Sequence, residues 1–188
     1  MAETVVALPA APIAGQNAPS SSGGEGECSS VSLTRATLGR LLGALASRPG
    51  PVPKYRYPSA GTLYPVQTYL VLGRTLGDLA AGSYYHDPAA HALVKLSAEA
   101  PLAPDGTTPD ALLLLVAQRA AIAPIYGEQA NAFCLLEAGY MHQALCDAAA
   151  GLPLRDAGDP AAHLALASAC MLDADHMPLA CWAVGENA

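Results

Sequence analysis

The spacing of apolar and polar positions divides this chain into short, separable elements. Leu38, Leu41, Leu42 and Leu45 recur at i, i+3, i+4 and i+7, the repeat of one helix face, and Ser32 stands where it can cap the amino end. The pattern predicts a helix over Leu33 to Ser47. Arg48-Pro49-Gly50-Pro51-Val52-Pro53 ends it, because proline cannot continue a helix and disfavours helical geometry in the residue before it. Gln67 to Leu72 is β-branched and aromatic and stops at Gly73, as a strand does. Ser83–His86 and Ala92–Leu96 flank an Asp87-Pro88 turn and predict a hairpin. Leu112–Ala117 is apolar without a break, as in a central strand covered on both faces.

The longest helical pattern runs from Gly127 to Ala150, with Gly151 placed to end it. Phe133, Leu136, Tyr140, Met141, Ala144, Leu145 and Ala148 wrap most of its circumference, and a helix apolar all round is buried in a core or across a subunit interface. Ala138, Gly139 and Ala144 permit close approach of another helix. Asp159 to Met171 predicts a further helix, and Pro178 to Val184 a closing strand. Helices and strands mix without a strict βαβ rhythm, so the expected class is α+β.

Composition narrows this picture. Residues 1–30 are rich in Ala, Pro, Ser and Gly and are expected to form a flexible tail, leaving 31–188 as one folded domain. Charged residues make up 13% and apolar ones 52%, a lean surface that points to apolar area hidden in an oligomer or against a partner. A net charge of −7 argues against nucleic acid or an anionic membrane as the main partner. No run reaches the ~20 apolar residues of a membrane span, and the amino terminus lacks the basic segment of a signal peptide. Five cysteines without a C-x-x-C pair predict reduced thiols and a cytoplasmic protein.

Chemistry concentrates between residues 54 and 69. A lysine beside a tyrosine, as in Lys54-Tyr55, can lower the phenol's pKa and make it a proton acceptor. The plainer reading is a solvated lysine and a packed surface tyrosine. Pro58-Ser59-Ala60-Gly61 can present backbone N–H groups and a hydroxyl to an anion or a flat ring, or be an ordinary turn. Tyr55, Tyr57, Tyr64 and Tyr69 form either a stacking wall or core packing. Glu137 falls on the buried side of the long helix, where a carboxylate needs a partner or a proton. His142 and Cys146 at i, i+4 make half a metal site, and Asp173-Ala174-Asp175-His176 reads equally as a polar loop, so no metal is expected.

Taken whole, Lys54-Tyr55-Arg56-Tyr57-Pro58-Ser59-Ala60-Gly61-Thr62-Leu63-Tyr64-Pro65-Val66-Gln67-Thr68-Tyr69-Leu70-Val71 resembles a segment of the nitroreductase superfamily. The branch is that of the flavin-dependent azoline dehydrogenases, including oxidase domains of nonribosomal peptide synthetases. Gly82-Ser83-Tyr84-Tyr85-His86-Asp87-Pro88 with His91-Ala92-Leu93-Val94 looks like its hairpin. Ile125-Tyr126-Gly127-Glu128 through Phe133-Cys134-Leu135-Leu136-Glu137-Ala138-Gly139-Tyr140-Met141 looks like its central helix. The resemblance implies a central mixed sheet flanked by helices and a homodimer with FMN at the interface. The implied reaction oxidises a thiazoline or oxazoline, bound to a peptidyl carrier protein or a peptide, to thiazole or oxazole. Lys54 and Tyr55 fall on the family's catalytic pair, and Ser59, Ala60, Gly61, Leu63 and Gln67 would line the flavin.

Three places depart from the family pattern. Gly26-Glu27-Cys28-Ser29-Ser30 stands where an Arg-rich segment grips the FMN phosphate, and the closing strand runs into Gly185-Glu186 without a basic residue. After the long helix, Gly151-Leu152-Pro153-Leu154-Arg155-Asp156 replaces a Gly-rich stretch. These departures bring in two alternatives. One is a flavin-free structural or binding partner of an active oxidase, such as a related flavoprotein subunit, or of an assembly-line module. The other is an enzyme using Lys54 and Tyr55 for non-redox proton transfer.

Overall fold

A computed structural model describes residues 4–9, 31–99, 110–158 and 164–186. Seven strands form one sheet: β1 (Val5–Ala7), β2 (Val66–Leu72), β3 (Gly82–Asp87), β4 (Ala92–Ser97), β5 (Ala111–Gln118), β6 (Leu154–Asp156) and β7 (His176–Val184). Their order is β1-β4-β3-β2-β5-β7-β6. The α+β class is as expected, but each pairing between these strands is antiparallel where a mixed sheet was expected. The helices are α1 (Arg35–Gly43), α2 (Ala123–Tyr126), α3 (Ala130–Ala149) and α4 (Leu164–Ala169).

The unbroken apolar run of β5 has a direct cause, since the sheet is covered on both faces. Leu113 and Leu115 join Leu70, Leu72 and Trp182 in a core that includes Leu38, Leu41 and Leu42 of α1 and Met141 and Leu145 of α3. Leu112, Leu114 and Val116 point the other way, into a smaller core with Tyr69, Val71, Leu166 and Cys170. Alternation along a strand thus feeds two apolar layers instead of one. At about 1.5–3 kcal/mol for each fully buried leucine, these two layers dominate what holds the fold.

Several element ends differ from the sequence pattern. Thr34, not Ser32, caps α1: its hydroxyl accepts the Thr37 amide at 3.1 Å while the Thr37 hydroxyl accepts the Thr34 amide at 2.7 Å. The helix ends at Gly43, and the chain then turns so that Ser47 donates to the Pro88 carbonyl at 2.8 Å. Left-handed Ala150 closes α3, one residue before the expected glycine. β7 starts earlier than expected, at His176, and shifts register where Val116 faces Pro178. A proline has no N–H for the ladder and is tolerated at such an irregularity. Within the segment expected to be a flexible tail, Val5–Ala7 instead pairs with β4. Arg35 fixes this strand by donating to the Ala7 carbonyl at 2.5 Å. The rest of that tail, residues 10–30, and the first residues of the helix expected from Asp159 lie outside the described residues.

The long helix is not buried all round in one chain. Ala130, Cys134, Glu137, Ala138, Met141 and Leu145 face inward, while Leu135, Leu136 and Tyr140 are each more than half exposed, as is Ile125 on α2. No helix among the described residues is long and apolar enough to cross a membrane.

Candidate functional site

The segment between α1 and β2 carries the site. A backbone bridge pins its start, with the Arg48 amide donating to the Lys54 carbonyl at 2.6 Å. Tyr55, Tyr57 and Tyr64 then form one aromatic cluster. The Tyr55 and Tyr64 rings lie 4.0 Å apart, and Tyr57 meets Tyr64 edge-on at 5.9 Å. Between them, Ser59 opens a single turn of 3-10 helix over Ala60–Thr62, and its hydroxyl oxygen accepts the Tyr64 amide at 2.8 Å. Gly61, Thr62 and Tyr64 all adopt positive φ, at 59°, 59° and 50°. Two non-glycine residues in that region within three positions mark stored backbone strain, held by the tyrosine cluster and the Ser59 bond.

Behind this turn lies Glu137 of α3, only 2% exposed. Its Oε1 accepts the Val66 amide at 3.1 Å, and its Oε2 is buried without a hydrogen-bond partner among the described residues. Burial pushes this carboxyl up to about 7, against the opposing pull of the Ser59 hydroxyl and the Val66 amide. Near neutrality the group can hold a proton on the orphaned oxygen. The neighbouring phenols also move up: Tyr57 strongly, from burial first and then Glu137, and Tyr55 from burial, Tyr64, Asp87 and Glu137 in that order.

The shift at Tyr55 bears on the two readings of the Lys54-Tyr55 pair. Lys54 is exposed and does not figure among the groups that perturb Tyr55, so the phenol is raised where a lysine neighbour was expected to lower it. Adjacency in sequence places the two side chains on different sides of an extended backbone. Tyr55 instead faces a cavity of about 70 Å³ that it shares with Tyr57, Tyr64, Gln67, Tyr85 and His86. Gln67 therefore joins Tyr55 and stands apart from the Ser59–Gly61 turn. Its amide donates to Gln118 at 3.2 Å and its carbonyl accepts from the Tyr69 hydroxyl at 3.0 Å. Leu63 and Ala60 are half-buried against the core, and Gly61 is exposed.

Tyr85 and His86, which sequence reasoning did not single out, line the same cavity as Tyr55. His142 stacks on Trp182, with ring centroids 4.6 Å apart and planes at 19°, while Cys146 is exposed. The Asp173 carboxylate accepts from His176 at 2.7 Å in a local pair. Among the described residues no three His, Cys, Asp or Glu side chains converge as a metal site would require.

No family model matches the sequence. The chain is 37% identical over 135 residues to an indigoidine synthase of Dickeya dadantii, and 33% identical over 112 residues to one of Streptomyces lavendulae. These matches span 63% and 58% of the chain but only 9% and 8% of the relatives' lengths. In three dimensions it resembles a Ralstonia eutropha protein described as a nitroreductase, with TM-score 0.67 and 21% identity over 98% of this chain and 90% of that one. It also resembles a chain of the Escherichia coli McbBCD microcin synthetase complex, solved with truncated pro-MccB17 bound. That match has TM-score 0.71 and 22% identity over 85% of this chain and 65% of the other. The fold is therefore nitroreductase-like.

FMN, the cofactor this fold implies, does not fit the residues of one chain. Of the polar groups expected to meet the flavin, the Gln67 amide is taken up on both sides within the protein, and the Ser59 oxygen already accepts an amide. A Cβ on Gly61 would stand 2.8 Å from the Tyr126 hydroxyl, so that side of the turn is closed by the chain itself. Of the two regions expected to meet a phosphate, residues 26–30 lie outside the described residues, while at the other Gly185 packs against Leu33. Beside Gly185 lies the side chain of Asp110, which accepts from Arg74 at 2.6 Å, and Glu186 follows.

Proposed function

We propose that this chain is an oxidoreductase-type component of peptide natural-product assembly, acting on a thiazoline or oxazoline bound to a carrier protein or peptide. The single observation that carries this reading is the Tyr55 phenol. It is half-buried in an aromatic cluster at a strained turn and opens onto a polar cavity, in a fold shared with a microcin synthetase chain. Aromatising an azoline ring removes a proton and a hydride from it. Tyr55 is the group that takes the proton, and the exposed Lys54 beside it in sequence meets an anionic or carbonyl part of the substrate.

The hydride requires an acceptor, and FMN is the one this reading calls for. The described residues of one chain lack free groups to hold it, so the reading calls for a second chain. The exposed apolar face of Ile125, Leu135, Leu136 and Tyr140 supports a homodimer, since packing two such faces together hides the kind of patch a monomer rarely leaves in water. Tyr126, which touches the Gly61 turn, sits in the same helix as Ile125, so that interface would border the site.

Flavin titration tests the reading. The chain in monomeric form is expected to bind no FMN, and the dimer or a complex with a related subunit is expected to turn yellow and oxidise a carrier-bound azoline. A colourless dimer without oxidation sinks it. The acidic Asp110–Glu186 region favours a second reading, a flavin-free partner of an active oxidase, which predicts co-purification with a yellow subunit that carries the activity.

A further inference from the structure

The cavity behind Tyr55 has its own exit. Seven of its ten lining residues bear a polar group, among them Tyr55, Tyr57, Tyr64, Tyr85 and Thr68. Its volume of about 70 Å³ is under half the ~150 Å³ of an apolar cavity that admits benzene, so a ring carried on a peptide does not enter. A polar cavity of that size has room for about five waters at ~10–15 Å³ each. His86 closes the far side, 1% exposed. Its Nε2 lies 3.4 Å from His91 Nδ1, and His91 Nε2 lies 3.2 Å from the Pro9 carbonyl oxygen.

This chain of contacts fixes both tautomers. A carbonyl only accepts, so His91 carries its proton on Nε2. The Nδ1 of neutral His91 then accepts, which places the His86 proton on Nε2 and leaves His86 Nδ1 an acceptor. Burial, with His91 adding to it, holds His86 down to about 4, so the ring is neutral at rest. His91 is half-buried, and a positive charge is better solvated there than on His86.

We propose that Tyr55 passes its proton through a water-filled cavity to His86 and on to His91 at the surface, instead of through the mouth of the site. This rests on the reading of Tyr55 as the proton-taking group. A resting phenol can accept a substrate proton on its oxygen only as its own hydroxyl proton leaves. As the ring proton arrives on Tyr55 Oη, the hydroxyl proton moves to a cavity water and a water proton moves to His86 Nδ1. The His86 Nε2 proton moves in turn to His91 Nδ1. One proton and no electrons are displaced, and the charge ends on His91, which returns it to solvent.

Two measurements on the unmodified chain judge the relay whether or not an azoline is oxidised. Nitrogen-15 NMR is expected to show His86 neutral at pH 6 and protonated on Nε2; an Nδ1–H tautomer overturns the proposal. A high-resolution crystal structure is expected to show ordered waters linking Tyr55 Oη to the His86 ring, and a dry cavity overturns it. In the active assembly, His86→Asn is expected to lower kcat at least tenfold with KM and FMN binding unchanged, and added imidazole to restore part of the rate. Unchanged turnover in that variant removes His86 from the path. An assembly without azoline oxidation would sink the functional reading alone, leaving the tautomer and the waters to decide the relay.

Discussion

Glu137 Oε1 accepts the Val66 amide at 3.1 Å across 71 positions of sequence, joining the middle of α3 to the first residue of β2. This bond holds the Ser59–Tyr64 turn between the central helix and the sheet. Glu137→Ala would strand a buried amide and open a cavity, a loss of about 2–4 kcal/mol in urea unfolding. Glu137→Gln keeps an acceptor for Val66 and is expected to cost less than about 1 kcal/mol; equal losses in the two variants would show that the bond does not matter.

The same group sets a pH dependence. Its folded pKa of about 7 lies above the ordinary glutamate value of 4.5, so the folded state binds the extra proton between those limits. The protonated carboxyl's contribution is fully present below the unfolded pKa and is lost as pH rises through the folded one, at up to about 1.4 kcal/mol per pH unit. Unfolding free energies measured from pH 4 to 8 are expected to fall over this window, and Glu137→Gln to remove that slope. A rise in stability through the same range contradicts the assignment.

Tyr55→Phe deletes the hydroxyl while keeping the ring against Tyr64. Azoline oxidation by the active assembly is expected to fall ~10²–10⁴-fold, the usual worth of a positioned proton acceptor, with the circular dichroism spectrum unchanged. Lys54→Ala is expected to leave the alkaline ionisation of Tyr55 where it was, since burial and Tyr64 set that ionisation. A clear upward shift in an ultraviolet titration of this variant would restore the lysine–tyrosine pair as a coupled unit.

Leu136 stands 57% exposed on the outer face of α3. If that face is a dimer contact, Leu136→Glu places a charge at its centre and yields monomers by light scattering at concentrations where the unmodified chain is a dimer. A chain that is monomeric before substitution rules the homodimer out.

Gly61 combines a φ of 59° with the Tyr126 hydroxyl 2.8 Å from its would-be Cβ. Gly61→Ala is expected to cost about 1–2 kcal/mol from the backbone alone, with more from the contact. Pairing it with Tyr126→Phe should recover only the contact's share in a double-mutant cycle; full recovery would show that the turn is unstrained.

The hairpin, the covered central strand and the long helix were legible because each depends on spacing within one short stretch. Leu112–Ala117 reads as doubly buried by itself, and Leu38, Leu41, Leu42 and Leu45 read as one helix face by themselves. β1 and β6 were not legible, because three-residue strands acquire their pairing only from β4 and β7, which no local period records. The cap of α1 was misplaced by two residues because Ser32 and Thr34 offer the same hydroxyl, and only Thr34 has Thr37 in position to reciprocate.

The segment from Lys54 to Val71 likewise carried its chemistry in sequence, in the types of its residues and their order. Their relations to one another were decided by the tertiary structure. Neighbours on an extended backbone point apart, so Lys54 and Tyr55 separate, while Tyr64, Tyr85 and His86 come to Tyr55 from elsewhere in the chain. Glu137 could be placed on the buried face of a helix from periodicity. Packing alone decided that the Val66 amide and the Ser59 turn would come to meet it. The titration of a buried acid is set by what surrounds it in space, and spacing along the chain does not record that.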